Sequence, residues 1–283
     1  MLAKDLATRE REIGKPFSMN EHIRVCIGGI EGRMGETLEK LIGKAGDMEV
    51  AYGIDPRVQI SDGKYFKSID DLVRTRTDLI NTADVYVDFT QPDSVIDNVG
   101  KISQAGVDSI IGTTGWYDRL GEVRDMAAKY GRRILYAPNF SLGINAFLVA
   151  VETVAGILVE RYGYDALVYE VHHTGKKDAP SGTAIETGKI LETHSGRRMV
   201  HVRRGKREVE EIDVLGGRVG KVAGHHQVWF TPKDPYAERL IIEHDAFTPE
   251  VFGLGVLEAI RWMMKKNKID AGLYTFKNDV LRF

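Results

Sequence analysis

The densest group of reactive side chains in this 283-residue sequence lies in the segment 170–184, EVHHTGKKDAPSGTA. It places two imidazoles, His172 and His173, within four residues of the ammonium group of Lys176. An imidazole gains and loses a proton near neutral pH, whereas a lysine is a compact cation. This combination is suited to the protonation of an anionic substrate.

The same segment predicts an anion-binding site at the start of a helix. Thr183 and Glu186 match the first and last positions of a capping box, which predicts a helix over 184–192. The backbone N–H groups of Gly182 and Thr183 would then face an anion, and Lys176 would add positive charge at the same place. We therefore expect a substrate that carries carboxylate groups.

Two histidine pairs require separate interpretation. Because successive strand residues point to opposite faces, we expect only one of His172 and His173 to face any given site. His225 and His226 form the second pair, but the companion carboxylates do not stand at a spacing typical of metal ligands. We therefore predict no metal site.

A glycine-rich loop predicts a nucleotide site near the N-terminus. Residues 28–35, GGIEGRMG, follow a predicted strand and precede a helical pattern, an arrangement whose backbone N–H groups can bind a pyrophosphate. The spacing G-x-x-G-x-x-G differs from the usual G-x-G-x-x-G, and Glu31 adds a carboxylate to the loop. Asp55 stands 20 residues after Gly35, where such units keep an acid for the ribose hydroxyls. Arg57 could contact the phosphate of NADPH, so NADH and NADPH both stay open.

Three more polar loops are predicted at the same edge of the sheet. They are residues 88–90 (DFT), 112–115 (GTTG) and 137–141 (APNFS), each directly after a predicted strand. In an open parallel sheet, ligands bind beyond the carboxyl ends of the strands. We expect these loops to line the site of a flat nicotinamide ring.

The elements that must position these groups fall into two classes. Strands predicted at 23–27, 48–54, 85–89, 107–111 and 133–137 alternate with helical patterns, which indicates a parallel sheet with crossover helices. A long helix around 144–158 follows, and then strands at 166–172, 200–202, 209–215, 226–230 and 239–244 surround only one convincing helix. A last helix is predicted over 249–265. The fold class is therefore α/β, with a Rossmann-type parallel-sheet dinucleotide domain and an α+β substrate domain that has an open mixed sheet.

Composition excludes several classes of protein. Hydrophobic residues make up 43% of the chain and charged residues 28%, so a disordered protein is not expected. Lys+Arg 39 against Asp+Glu 41 gives a net charge of −2, so general nucleic-acid binding is not expected either. The single cysteine, Cys26, rules out an internal disulfide and fits a reducing cytoplasm. The charged N-terminus is unlike a signal peptide, and we expect no apolar run that approaches a membrane span.

These motifs together resemble the 4-hydroxy-tetrahydrodipicolinate reductase (dihydrodipicolinate reductase) family of lysine and diaminopimelate biosynthesis. The most specific match is the string H-H-x-x-K-x-D-A-P-S-G-T at 172–183, and the match extends from Ile23 to the end of the chain. Arg218 with 220–226 is similar to the family's R-x-G-x-x-x-G-x-H stretch, and 272–274 resembles its G-L-Y ending. The family reduces a cyclic dicarboxylate with NADH or NADPH, which is the activity that the resemblance implies.

The resemblance also implies domains, assembly and roles. It implies an N-terminal extension at 1–22, a dinucleotide-binding domain at 23–139 that is completed by about 250–283, and a substrate-binding and oligomerisation domain at 140–249 that assembles a homotetramer. Catalysis falls to His172 and Lys176, and substrate binding to His173, Lys176, Gly182, Thr183 and Arg218. Cofactor contacts fall to Gly29, Ile30, Glu31, Gly32, Arg33, Met34, Asp55, Arg57, Phe89, Gly112, Thr113, Thr114, Ala137, Pro138, Asn139 and Phe140.

The sequence departs from the family pattern at three places. Glu31 stands where a small residue is frequent, Gln91 replaces a frequent basic residue, and 247–249 (FTP) stands where a serine–arginine pair is common. The alternatives are a divergent imine or enamine reductase, an amino-acid semialdehyde or homoserine type of dehydrogenase, and a redox-sensing regulator that binds dinucleotide without turnover. The regulator would have no need of the His-His-x-x-Lys segment.

Overall fold

A computed structural model describes residues 22–59, 63–201, 207–233, 238–265 and 269–282. The predicted N-terminal extension lies outside these residues apart from its last position. Two separate sheets organise the described chain, one of seven strands and one of five. The predicted fold class is confirmed, because the first sheet is entirely parallel and the second is mixed.

The first sheet has the strand order β12-β6-β5-β4-β1-β2-β3. Its strands are β1 Ile23–Gly28, β2 Met48–Ile54, β3 Tyr65–Phe66, β4 Val85–Asp88, β5 Asp108–Ile111, β6 Arg133–Tyr136 and β12 Gly272–Thr275. Its helices are α1 Arg33–Ala45, α2 Ile69–Thr75, α3 Leu79–Thr82, α4 Val95–Gln104, α5 Leu120–Tyr130 and α8 Glu250–Met263. The five predicted strands are correct to within one residue at each end. The sequence patterns did not indicate β3 or β12, which are short edge strands.

The C-terminal part of the chain is anchored to this first sheet. β12 pairs in parallel with β6, and α8 packs on α1 in the same hydrophobic core. The buried side chain of Arg133 pairs with Asp108 and donates a hydrogen bond of 2.6 Å to the carbonyl oxygen of Met263 at the end of α8. The ion pair therefore joins two strands of the sheet to the last turn of the helix.

The second sheet has the strand order β11-β10-β7-β9-β8. Its strands are β7 Asp165–His172, β8 Arg198–Val200, β9 Glu211–Arg218, β10 Gly224–Thr231 and β11 Leu240–Ala246. The strand predicted at 200–202 overlaps β8 only at residue 200, and its last position lies outside the described residues; the strand predicted at 209–215 overlaps β9 over 211–215 but begins two residues too early. β8 begins earlier because Arg198 pairs with Glu211, and residues 209 and 210 form the turn that enters β9.

Helices cover one face of the second sheet. They are α6 Leu142–Val154, which continues as a π-helix over Ala155–Arg161, and α7 Gly182–Ser195. β10 alternates strictly between buried and half-buried residues. The residues that point away from the helices include the partly exposed Tyr169 and Leu215. Within the described residues this second face has no covering layer.

The continuous helix Leu142–Arg161 corrects one expectation. Its 20 residues, with a mean hydropathy of 2.0 in the most apolar window, are long and apolar enough to cross a membrane, although no such stretch was expected. Core helices of soluble proteins satisfy the same criterion. Here Phe147, Leu148 and Val151 are buried in the core between this helix and the second sheet, so the apolar character is used in packing.

Candidate active site

A cleft of about 460 Å³ lies between the strand-end loops of the first sheet and the helix-covered face of the second. Both sheets contribute to its walls, so it brings together motifs that are far apart in the sequence. The lining residues are Thr114, Tyr117, Pro138, Asn139, Ile144, His172, His173, Lys176, Asp178, Ser181, Gly182, Thr183, Glu186, Ala223, Gly224, His226, Ala246 and Phe252.

On the first-sheet side, the loops after β4 and β5 are held together by a buried aspartate. Asp88 ends β4 and accepts hydrogen bonds from the hydroxyl groups of Tyr86 (2.6 Å), Thr90 (2.8 Å) and Thr113 (2.7 Å). Its backbone carbonyl oxygen also accepts from Gly112 N–H at 2.9 Å. The carboxylate therefore fixes the relative position of two predicted cofactor loops.

The glycine loop has the geometry that a pyrophosphate site requires. Gly29 has a φ of +78°, and a Cβ there would lie 2.3 Å from the carbonyl oxygen of Phe89. A Cβ at Gly35 would lie 2.2 Å from the carbonyl oxygen of Gly29, so the loop packs directly on the first turn of α1. α1 begins after Gly32 without a side-chain cap, which leaves the first N–H groups of the helix for an anion. These residues fit the diphosphate of a dinucleotide.

Asp55 and Arg57 lie beside this loop and contact each other. The guanidinium group of Arg57 donates two hydrogen bonds to the Asp55 carboxylate, Nε to Oδ1 at 2.9 Å and Nη2 to Oδ2 at 2.8 Å, and the backbone N–H of Arg57 donates a third to Oδ1 at 2.9 Å. This pairing with Arg57, together with a hydrogen bond from the Glu31 backbone, lowers the pKa of Asp55 against the opposing effect of burial. The Arg57 side chain is 63% exposed, so it can leave Asp55 without uncovering the core.

The remaining predicted cofactor residues occupy different depths. Thr114, Pro138 and Asn139 line the cleft, and Ala137 lines an adjoining one of about 350 Å³. Phe140 instead is buried and packs on Phe276, with ring centroids 5.0 Å apart. Gly112 gives space to a neighbouring ring, because a Cβ there would lie 2.1 Å from Phe89 Cε1.

On the second-sheet side, His172 is the last residue of β7 and is almost fully buried. Its Nδ1 atom lies 2.5 Å from Oε2 of Glu170, and its Nε2 atom lies 3.2 Å from the position that a Cβ of Gly224 would take. His173 also lines the cleft. The expectation that only one of the two would face a given site is wrong, because β7 ends at His172 and the alternation of a strand stops there.

The helix that follows begins two residues earlier than its capping-box pattern suggests. Ser181 is the N-cap, and its Oγ accepts a hydrogen bond from Ala184 N–H at 3.2 Å. Thr183 is therefore already inside α7. The change supports the anion site, because Gly182 and Thr183 now occupy the first two positions of the helix, where N–H groups have no helical partner.

Lys176 lines the cleft and forms a salt bridge with Asp178. Its Nζ lies 2.8 Å from Oδ1 of Asp178, and the two side chains are 24% and 56% exposed. Burial opposes ionisation of Asp178, but the contact with Lys176 outweighs it and lowers the pKa of this carboxyl group. An anionic ligand can compete with such an exposed partner for the ammonium group.

Arg218 is the predicted substrate residue that does not line the cleft. Its Nη1 and Nη2 atoms both donate to Oε1 of Glu170 at 3.0 Å, beneath His172, and Nη2 also donates to the Asp178 carbonyl oxygen at 2.5 Å. Burial raises the pKa of Glu170, but hydrogen bonds from His172, Ser181 and Arg218 outweigh it and hold the pKa at about 2.

Sequence reasoning missed the role of His226. It lines the cleft on β10, where its ring centroid lies 5.1 Å from that of His172 and its Nε2 lies 3.3 Å from Ser181 Oγ. Burial, followed by repulsion from His172, lowers the pKa of His226 to about 3, so its imidazole is neutral at physiological pH. Its neighbour His225 points to the other face and contacts Asp245 at 2.8 Å.

Among the residues that the structure describes, two groups of side chains have ligand atoms within 4.8 Å of one another, Glu170–His172–His226 and His225–Glu243–Asp245. The carboxylates near His225 come from the neighbouring strand β11, which sequence spacing could not show. In the first group, the 2.5 Å between Glu170 and His172 is a hydrogen-bond distance, shorter than two ligands of one metal ion keep. The buried group is therefore better explained as a close carboxylate–imidazole pair.

Other cleft residues had no sequence motif. Tyr117 and Phe252 come from two separate segments and converge only in the fold. Glu186 lies one helical turn after Gly182, so the helical repeat of the predicted α7 could have identified it. Burial raises the pKa of its carboxyl group.

Comparisons with known proteins agree with this geometry. Residues 23–140 match the family described as "Dihydrodipicolinate reductase, N-terminus", and residues 143–281 match "Dihydrodipicolinate reductase, C-terminus". The 4-hydroxy-tetrahydrodipicolinate reductase of Methanoregula boonei is 34% identical over 267 residues, which cover 91% of this chain and 97% of that protein. The protein of the same name from Methanosarcina barkeri is 33% identical over 270 residues, covering 92% and 99%.

Among solved structures, the dipicolinate-bound dihydrodipicolinate reductase from Paenisporosarcina sp. TG-14 superposes with a TM-score of 0.70. The superposition covers 91% of this chain and 99% of that one at 24% identity. An engineered D-amino acid dehydrogenase bound to NADP+ has a TM-score of 0.53 at 15% identity, over 91% of this chain and 94% of that one. These likenesses support the two-sheet fold.

Proposed function

We propose that this chain, which belongs to the dihydrodipicolinate reductase family, reduces 4-hydroxy-tetrahydrodipicolinate to tetrahydrodipicolinate with a nicotinamide cofactor. One observation carries the proposal. The cleft places His172, Lys176 and the N-terminus of α7 opposite Thr114 and the loop after β6. It thus combines a proton donor and an anion site with the strand ends that hold the nicotinamide in such folds.

Each wall of the cleft has its own task. The N–H groups of Gly182 and Thr183, with the Lys176 ammonium group, bind a carboxylate of the substrate. The hydroxyl group of the substrate first leaves as water, which gives the conjugated ring of dihydrodipicolinate. The bound cofactor would supply a hydride to that ring, and the resulting enamine must then accept a proton at carbon. His172 donates this proton from Nε2, and Lys176 assists as a second acid. A positioned general acid contributes a factor of roughly 10² to 10⁴.

We propose NADH as a cofactor bound at least as tightly as NADPH. Asp55 would accept hydrogen bonds from the ribose hydroxyls, as acids after the second strand do in dinucleotide folds. Arg57 uses its Nε and Nη2 groups to hold Asp55, so only its remaining N–H groups can contact a ribose phosphate while this pair is intact. The Glu31 carboxylate in the same loop also opposes a second phosphate by charge.

We also propose that residues 140–249 form the substrate and oligomerisation domain of a cytoplasmic homotetramer. The uncovered face of the second sheet is the physical reason. Leu215 is 41% exposed on it, and its neighbour across the strand pair, Tyr169, is 36% exposed. A sheet face of this kind is hidden in a folded protein by another layer, here the same face of a second subunit. The reduced, buried thiol of Cys26 is consistent with a cytoplasmic location.

The direct experiment is NADH and NADPH oxidation with enzymatically generated 4-hydroxy-tetrahydrodipicolinate. We expect turnover that depends on both substrate and enzyme. No finding favours the imine reductase or semialdehyde dehydrogenase alternatives. A simple imine or an amino-acid semialdehyde in place of the dicarboxylate should therefore give little oxidation, and preferential turnover of either would refute the proposal.

A further inference from the structure

We propose that Glu170 is a positioning residue that fixes the proton-bearing nitrogen of His172, which rests on the proposed function of His172 as proton donor. Glu170 lies on β7 two residues before His172, so both side chains project to the same face. Its carboxylate has no exposed surface and cannot itself contact a ligand in the cleft. Its influence on the reaction must therefore pass through the groups that it contacts.

The contacts of the two carboxylate oxygens are clearly divided. Oε1 accepts from Ser181 N–H at 3.2 Å and from both terminal nitrogens of Arg218 at 3.0 Å. Oε2 lies 2.5 Å from Nδ1 of His172. Because an ionised carboxylate only accepts hydrogen bonds, Nδ1 must carry a proton. The low pKa of Glu170, about 2, means that this holds throughout the neutral range.

With Nδ1 assigned to Glu170, the other nitrogen is free for chemistry. Nε2 of His172 points toward Gly224, where the missing side chain leaves space beside the ring, and both residues line the cleft. The proton that reaches the substrate can then leave from Nε2 while Nδ1 stays against the Glu170 carboxylate. A carboxylate that holds an imidazole in this way stabilises its protonated form and its orientation.

The same carboxylate also connects the proton donor to the anion site. Ser181 both donates its N–H to Glu170 and caps α7, whose first N–H groups face the cleft. One buried anion therefore holds the imidazole on β7 and the start of the helix in a fixed relation. Arg218 contributes from β9 by balancing its charge, which explains why a guanidinium group lies beneath the cleft.

Glu170→Gln is an informative change because Arg218 dictates how the amide must lie. Arg218 and Ser181 both donate toward the Oε1 position, so the glutamine carbonyl oxygen must occupy it and the NH₂ group must face His172. Nδ1 then becomes an acceptor and the ring proton moves to Nε2 in the neutral form, without the anion that stabilises the protonated ring. Carboxylate-to-amide changes behind an imidazole lower turnover by up to about 10⁴.

The test is a double-mutant cycle between Glu170→Gln and His172→Ala, with steady-state kinetics and calorimetric NADH binding. We expect Glu170→Gln to lower kcat by at least about tenfold, with KM and NADH affinity within about threefold of wild type. In the His172→Ala background the same change should alter kcat by less than about twofold. Equal losses in both backgrounds, or a loss that appears in KM, would overturn the positioning role.

The outcomes also separate this inference from the proposed function. Wild-type protein without reductase activity would refute the function, whereas active wild type with an additive cycle would refute only the role of Glu170. If Glu170→Gln fails to fold because Arg218 is left unpaired, the cycle is run with Glu170→Gln/Arg218→Met, which leaves no unpaired buried charge. In that background Ser181 N–H alone orients the amide toward the Oε1 position, and the expected and contradicting results are the same.

Discussion

The buried imidazole of His226 should make the stability of the protein depend on pH between 8 and 5. Its pKa is about 3 in the fold, lowered first by burial and then by His172, against an ordinary value of 6.5. As the pH falls below 6.5, the unfolded chain therefore binds a proton at this position while the folded chain does not. Protonation favours the unfolded state, so stability is lost as the pH falls.

The size of this effect follows from the two pKa values. Between pH 8 and pH 5, His226 alone should lower the free energy of unfolding by about 2 kcal/mol. Glu170 does not contribute in this range, because its stabilising effect is complete above about pH 4.5 and is lost only as the pH falls toward 2. Burial also lowers the pKa of His244, but that contribution is present in wild type and variant alike.

The assay is urea unfolding of wild type and His226→Gln at several pH values from 8 to 5, at one protein concentration. Glutamine keeps a polar group beside Ser181 but does not titrate, so the variant should gain about 2 kcal/mol relative to wild type over this range. Ser181→Ala is the matched control. It removes the helix cap and should cost about 1 kcal/mol at every pH, with the wild-type pH dependence retained.

If the free energy of unfolding depends on pH in the same way in wild type and His226→Gln, the reasoning is refuted, because His226 would then titrate alike in the folded and unfolded states. Loss of the pH dependence in Ser181→Ala would show instead that any disturbance of the cleft removes it.

Three further predictions concern catalysis, the cofactor and assembly. Lys176→Ala should impair both KM and kcat, since it removes an anion contact and an acid. His172→Ala should mainly lower kcat, by roughly 10² to 10⁴, and should leave the NADH affinity measured by calorimetry unchanged. If kcat/KM of both variants stays within about threefold of wild type, the role of the segment is structural. Arg57→Ala should weaken NADPH binding more than NADH binding in the same calorimetric assay, and equal losses would show that Arg57 does not contact the ribose phosphate. Light scattering at micromolar concentration should give four times the chain mass of 31.6 kDa, and a value near one chain mass would leave the uncovered face of the second sheet unexplained.

The first sheet was predictable because its signals are local. The five predicted strands are short apolar runs bounded by turn residues, and the glycine loop precedes a helical repeat that needs no distant partner. The edge strand β3 escaped prediction because two residues carry no periodicity, and β12 because its partner β6 lies more than 130 residues away in the sequence. Pairing partners at such distances are set by tertiary packing.

The chemistry of the cleft was predictable only in part. Residues 172–183 predicted that His172, Lys176 and the start of a helix would lie together, because their proximity depends on neighbours in sequence, and the cleft confirms this grouping. The cap at Ser181 was missed because Thr183 offered an equally good local pattern, and the fold chose the residue whose N–H also reaches Glu170. His226 was missed because its burial depends on β7 and α6, which no spacing around it reveals.

The loop after β6 connects the two walls of the cleft. Asn139 accepts a hydrogen bond from Ser141 N–H at 2.8 Å, and Ser141 caps α6, so the loop is fixed to the first helix that covers the second sheet. The side-chain amide of Asn139 also lies 3.5 Å from the hydroxyl of Thr183 at the start of α7. Hydride transfer requires two reacting carbons within a few tenths of an ångström of one distance. Because Asn139 lies between the strand ends that would hold the nicotinamide and the helix that would hold the substrate carboxylate, these contacts help to set that distance before either ligand binds.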